Sequence, residues 1–400
     1  GLENRHWDVN HWLRGGCVYG VMPANGLLYV PPHSCACYMM GKINGFNAVA
    51  GRRSSENRHA APAPRLQKGP AYGERPAGDK TTPLDWPTYR HDAARSGALP
   101  GPLPTELRRS WTVELGGRLS APVIAGDTVV VAEVDRHSVV ALAAGSGEVR
   151  WRFTAAGRVD SPPTVYRGRV LFGCADGRIY CLRAADGALV WRLRAGPEDR
   201  RLVSYEQIES VWPVHGSILI QDGAAYCVAG RAMFLDGGLR FLKIEPATGE
   251  ILTEKVLDET DPETGENLQT HIQGHNIPVA LPDVLSSDGT RIFMRTQVFD
   301  KDGNRSGIAP LSGNKVVEAA YQGGEGRHLF SPIGFLDGSW WHRAYWVYGK
   351  RFSMGAGGYT QAGRFAPAGR ILAHNESGVY GYGREQQYYT WTTPLEYRLF

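Results

Sequence analysis

Four short runs concentrate the side chains that could do chemistry. SYEQIES supplies Glu206 and Glu209 beside Tyr205 and Gln207, and THIQGHN supplies His271, His275 and Asn276. EGRHLFS supplies Arg327 and His328, and SWWHRAYWVYGKR supplies His342, Arg343, Tyr345, Tyr348 and Lys350. Imidazole, phenol, guanidinium and carboxylate are the groups from which acid–base sets are built. His275, His328, His342, Arg343, Tyr345, Glu206 and Glu209 therefore form the candidate catalytic set, and His271 with His275 the candidate metal ligands. Taken singly, each also reads as packing, a turn cap or a salt bridge. Their concentration in one half of the chain points to a site, and the aromatic rings beside them could platform a sugar.

The cysteines offer a second kind of chemistry. HSCACY brings His33, Cys35 and Cys37 close together, either as soft metal donors, as packed side chains, or with Cys17 as a disulfide partner. No paired zinc spacing and no CxxCH motif occurs among the six cysteines. Cys174 and Cys181 flank the turn ADGR and read as small buried residues on adjacent strands, with a diagonal disulfide as the alternative.

The elements that must position these groups are strands. Trp111, Trp151 and Trp191 recur at a forty-residue spacing, and between them the order of features repeats. A proline (Pro122, Pro163) precedes an apolar strand (TVVVA, RVLFG), a turn, a second strand (SVVAL, RIYCL), a small-residue turn (AGSGE, AADGA) and a strand ending in Trp. Alternating and β-branched residues at this length specify strands. A repeat of about forty residues with several short strands is the signature of propeller blades. One such blade cannot cover both of its faces, so blades stack, and the recurring Trp is expected to lie flat between neighbours. Less regular units follow through 400, and residues 1–50 have the same strand–turn–strand rhythm as partial blades. Residues 51–85, rich in Pro, Gly, Ala and charge, read as a linker or insertion, and 86–400 as the main run of blades.

Composition sets outer bounds. A chain of 400 residues with 42% hydrophobic content is globular and suits two domains or one large repeat fold. A net charge of +4, spread along the chain, argues against nucleic acid as a partner. No apolar run reaches about 18 residues, so no transmembrane segment is expected, and GLENRHWDVNHWLRGG does not read as a signal peptide.

The endings LAAGSGEVRW and LRAADGALVW resemble the tryptophan-docking repeat of quinoprotein (pyrroloquinoline quinone, PQQ) dehydrogenases and of the outer-membrane assembly propeller. WPTYRHDAARSG, from Trp86 to Gly97, resembles the opening strand of PQQ-like propellers. GGCVYGVMPANGLLYVPPHSCACY, ESVWPVHGSILIQDG and HLFSPIGFLDGSWWHRAYW resemble segments of large planctomycete PQQ-like repeat proteins, of which this chain looks like an interior portion. The resemblance implies an all-β fold, a β-propeller of four-stranded blades, roughly seven or eight when complete. It also implies that remaining blades or a partner close the ring. In the dehydrogenases, PQQ sits with an adjacent Cys-Cys disulfide and a calcium ion, which takes about six to eight oxygen ligands. No adjacent cysteine pair exists here. The expectation is a binding or scaffold propeller with a protein or glycan partner, no bound cofactor and a periplasmic or otherwise exported location. The alternatives are an exported carbohydrate-active lyase or hydrolase built on the irregular blades, and a PQQ-dependent oxidoreductase. PQQ or a divalent metal is the cofactor those alternatives would need.

Overall fold

A computed structural model describes residues 13, 15, 16, 18–32, 43, 45–51, 64–74, 81–102, 104–268, 280–295, 297–305, 327–331, 346–349, 367–384 and 397–400. The described chain is nearly all β, and its strands form successive antiparallel meanders. β1 (Met22–Ala24), β2 (Leu27–Val30) and β3 (Asn47–Ala50) make a three-stranded sheet. β4 (Leu66–Lys68) comes from the Pro/Gly-rich stretch between that sheet and the repeats.

The first full blade is β5 (Val123–Ala125), β6 (Thr128–Glu133), β7 (Ser138–Ala143) and β8 (Val149–Thr154). The second is β9 (Thr164–Tyr166), β10 (Arg169–Gly173), β11 (Arg178–Arg183) and β12 (Leu189–Arg194), with β4 added outside β12 as a fifth strand. A hairpin of β13 (Arg201–Ser204) and β14 (Gln207–Ser210) precedes the third blade. That blade is β15 (Leu219–Gln221), β16 (Ala224–Ala229), β17 (Leu239–Ile244) and β18 (Ile251–Leu257). β19 (Ser286–Ser287), β20 (Ile292–Met294) and β21 (Gln297–Phe299) form a three-stranded sheet. β22 (His328–Phe330), β23 (Trp346–Gly349), β24 (Ala368–Asn375), β25 (Gly378–Arg384) and β26 (Tyr397–Leu399) form a five-stranded one.

Blade stacking follows a single rule. The indole N–H of Trp111 donates to the Ala144 carbonyl at 2.8 Å, that of Trp151 to Ala184 at 2.9 Å, and that of Trp191 to Pro246 at 3.0 Å. Each ring lies against the glycine three residues further along the same turn. A Cβ on Gly147 would stand 2.5 Å from Trp111, and one on Gly187 2.7 Å from Trp151. The glycine and the tryptophan of the repeat are therefore one contact made between successive units, as the forty-residue spacing predicts. Burying these rings contributes most of the energy, with the N–H···O bond adding about 1 kcal/mol. Apolar faces close the same seams. Val130, Ala141 and Trp151 of the first blade pack on Phe172 and Tyr180 of the second, whereas Cys181 and Trp191 pack on Cys227 and Leu242 of the third.

The rule stops at the third blade. Trp151 pairs with Ala141 and Trp191 with Cys181, but Thr253 stands at the equivalent place, opposite Lys243. Phe241 on β17 fills the seam instead, 5.2 Å from the Phe299 ring and under Gly303. Trp86–Gly97 departs from the expected opening strand. Arg90, His91 and Arg95 have positive φ, and the segment braces several sheets. Trp86 bridges to Ile124, Val165 N–H donates to the Pro87 carbonyl at 2.7 Å, and Ser287 N–H to the Ala93 carbonyl at 2.8 Å. Arg95, wholly buried, donates to the Leu285 carbonyl at 2.9 Å and to Thr88 at 2.9 Å. Burial lowers its pKa to about 10.

Candidate functional site

In equivalent up-and-down four-stranded blades, the links between blades and the loops joining second to third strands emerge at the same end of the strands. The buried ion pairs gather at that end, whereas the other end carries exposed ones such as Arg150–Asp127 and Arg183–Asp186. Asp160 and His215 lie at corresponding points, four residues ahead of β9 and of β15, and Arg118 lies five residues ahead of β5. Asp135, Arg136 and His137 lie between β6 and β7, and Arg231 and Asp236 between β16 and β17. The turns that receive the tryptophans are at the other end.

Arg158 is the centre of this face. Its side chain is 4% exposed and its Nε donates to Asp160 at 2.9 Å, while Nη1 pairs with Glu209, itself 1% exposed. Arg231 reaches the other Glu209 oxygen at 3.3 Å and the Ser204 hydroxyl at 3.3 Å. Asp160 also meets Nδ1 of His215 at 2.5 Å. Burial raises the Glu209 carboxyl above its ordinary value, outweighing the guanidiniums of Arg158 and Arg231. Burial would also raise Asp160, but His215 and Arg158 outweigh it and hold that carboxyl well below the usual range. Burial works against the charge of Arg158, and Asp160 with Glu209 more than offset it.

This network anchors the β13–β14 hairpin. The Tyr205 ring lies 4.6 Å from the Arg158 guanidinium, and His137 Nε2 donates to the Gln207 amide oxygen at 2.8 Å. Ser210 N–H donates to the Ala175 carbonyl at 2.9 Å. Leu202, Ser204, Gln207 and Glu209 face the blades, whereas Arg201, Val203 and Ile208 face solvent. The hairpin closes through two central residues, Tyr205 at φ 48° and Glu206 at φ 63°, where such a turn normally takes Asn-Gly. Holding two non-glycine residues there costs about 1–2 kcal/mol each.

Among the sequence-singled residues, Glu209 is locked in the ion pairs and Glu206 is exposed at the hairpin tip. His328 is a buried strand residue, stacked 4.0 Å from Phe293, and its Nε2 reaches the Arg295 carbonyl at 2.5 Å. His271, His275, His342, Arg343 and Tyr345 lie outside the described residues, as do His33, Cys17, Cys35 and Cys37. Cys174, Cys181 and Cys227 are buried free thiols. Burial raises all three thiol pKa values, so they are packed rather than reactive side chains. No described group of three or more His, Cys, Asp and Glu residues is placed to hold a metal ion. Sequence reasoning missed Arg158, Asp160, His215 and Arg231. For Arg158, Asp160 and His215 the signal was positional, polar residues in the links ahead of β9 and β15, whereas Arg231, in the loop between β16 and β17, carried no such signal.

Residues 106–297 match the family described as outer membrane protein assembly factor BamB. These blades are PQQ-like repeats. A DNA damage-responsive serine/threonine-protein kinase, RqkA of Deinococcus radiodurans, is 32% identical over 107 residues, covering 26% of this chain and 16% of the kinase. The quinohemoprotein alcohol dehydrogenase ADHIIG of Pseudomonas putida is 18% identical, with a TM-score of 0.37 over 45% of this chain and 28% of the enzyme. BamB of Moraxella catarrhalis is 19% identical, with a TM-score of 0.27 over 61% of this chain and 70% of that protein. The chain thus spans under a third of the length of the kinase and of the dehydrogenase.

Proposed function

We propose that this chain is a binding or scaffold propeller that presents a partner site on the loop face, without bound PQQ. One observation carries the reading. The buried charges on that face, Arg158, Asp160, Glu209 and Arg231, are committed to one another. A catalytic carboxylate must reach substrate, and Glu209, held between two guanidiniums, serves instead to hold a hairpin in place. The donor chemistry supports a reading without PQQ, because the adjacent cysteine pair of the dehydrogenases has no counterpart in this sequence. A periplasmic or otherwise exported location is proposed from the match to a family described as an outer membrane assembly factor. No helix among the described residues is long and apolar enough to cross a membrane. Further blades or a partner would cover the last sheet, whose cross-strand row Ile371, Tyr382 and Leu399 faces solvent.

A second reading, a carbohydrate-active enzyme, is favoured by one feature. The 2.5 Å contact of Asp160 with His215 is the arrangement of a base and its orienting carboxylate. Incubating the full chain with anionic and neutral polysaccharides and following new reducing ends or unsaturated products separates the two. The binding reading expects no product above blank. Product formation that is lost in His215→Ala would overturn it.

A further inference from the structure

The β13–β14 hairpin turns an apolar cross-strand pair to solvent. Its inward face carries Leu202, Ser204, Gln207 and Glu209, and its outward face carries Val203 and Ile208, which are direct cross-strand partners. Val203 is 75% exposed, Ile208 65% and Tyr205, at the tip, 61%. The alternation that would bury the β-branched pair is one residue out of phase, and inward anchors at Glu209, Gln207 and Ser204 fix that phase. A two-stranded hairpin is marginal by itself in water, so this element is held in an apolar-outward pose by the charged network beneath it. An apolar cross-strand pair held outward on a loop face is the construction of a docking surface.

The charge around it identifies the occupant. Arg118, Arg136, Arg200 and Arg201 present their guanidiniums to solvent on this face. Three of the carboxylates they pair with, Glu133, Asp160 and Asp236, lie deeper than the guanidiniums. Asp135, Asp199 and, at the tip, Glu206 share this surface, but each of the four arginines is more exposed than the carboxylate it pairs with, which leaves guanidinium groups outermost beside the apolar pair. We propose that the hairpin docks an extended segment of a partner protein in which apolar residues alternate with Asp or Glu. The apolar side chains would seat on Val203 and Ile208, the carboxylates on Arg200 and Arg201, and the unpaired edge of the two-stranded sheet would offer main-chain hydrogen bonds. This proposal rests on the binding-propeller reading and assigns its site.

The test is a library of short random peptides displayed on phage, selected against the full chain, with the strongest sequence then synthesised. The control chain carries Val203→Thr and Ile208→Thr, which keep β-branching and remove the apolar surface. Unchanged amide protection in the hairpin establishes that this chain is folded. The expected result is enrichment of alternating apolar and acidic residues, with binding at least about tenfold weaker to the double variant and about threefold weaker to Arg201→Gln. A selected peptide that binds the double variant equally well would overturn the hairpin site while leaving a binding propeller standing. No enrichment, or enrichment of basic sequences, overturns the proposal. Self-association that the double variant abolishes assigns the face to a second copy, and oligosaccharide binding that it abolishes assigns it to a glycan; either result also overturns the proposal. The polysaccharide turnover assay fails or succeeds independently of all these outcomes.

Discussion

Replacing Glu209 with Gln keeps the shape of the side chain and removes its charge. Arg158 then retains Asp160, 2.9 Å away, but Arg231 loses the carboxylate it meets at 3.3 Å. Breaking a buried ion pair from one side costs about 3–5 kcal/mol, and the surviving Asp160 contact places this case near about 3 kcal/mol. The cost falls on the hairpin, because the blades are held by their own seams and a two-stranded hairpin has little stability of its own. A loss of about 3 kcal/mol corresponds to roughly a hundredfold more frequent opening. Hydrogen exchange of the full chain should therefore show residues 201–210 losing protection by up to that factor in E209Q, limited by the hairpin's own opening energy. Amides of β7 and β11 should be unchanged. Hairpin protection that survives E209Q would refute the anchoring argument, and so would blades that lose protection in step with it.

Other consequences follow from the same geometry. The depressed Asp160 carboxyl contributes stability that is complete above the ordinary aspartate value of about 3.9 and is lost as pH falls through its lower folded value. Urea midpoints should thus separate wild type from Asp160→Asn at pH near 6 and converge in acid; a constant difference would contradict the assignment. Gly187→Ala must accommodate a Cβ 2.7 Å from Trp151 at φ +74°, and should lose about 2–4 kcal/mol. Gly265→Ala, also at positive φ but in open space, should lose only about 1 kcal/mol, and equal melting shifts for the two would remove the docking explanation. Glu206→Gly relieves the left-handed tip and should slow hairpin opening by about 1 kcal/mol, read by the same exchange experiment.

The repeat was legible because its contact is periodic. Trp111, Trp151 and Trp191 each need a glycine turn in the next unit, so ring and turn recur together in the sequence. The third blade, with Thr253 in place of Trp, was harder to read because Phe241 fills its seam from a different strand. SYEQIES drew attention for its carboxylates, yet the sequence alone does not say which face of a two-stranded hairpin turns inward. That is decided by Arg158 and Arg231, which arrive from loops 51 and 22 positions from Glu209. Asp160 and His215 are 55 positions apart and meet only because successive links emerge at the same end. His328 looked like chemistry because an imidazole is unusual in a blade. In the fold it stacks on Phe293 and satisfies its Nε2 on a backbone carbonyl.

The most direct measurement is a hydrogen-exchange footprint of the full chain with and without the peptide recovered by selection. The account predicts new protection at residues 201–210, reaching the neighbouring loops at 134–137 and 158–161, and none at the tryptophan-receiving turns 144–147, 184–187 and 246–249. Protection at those turns, or an unchanged hairpin while the peptide is bound, would contradict it.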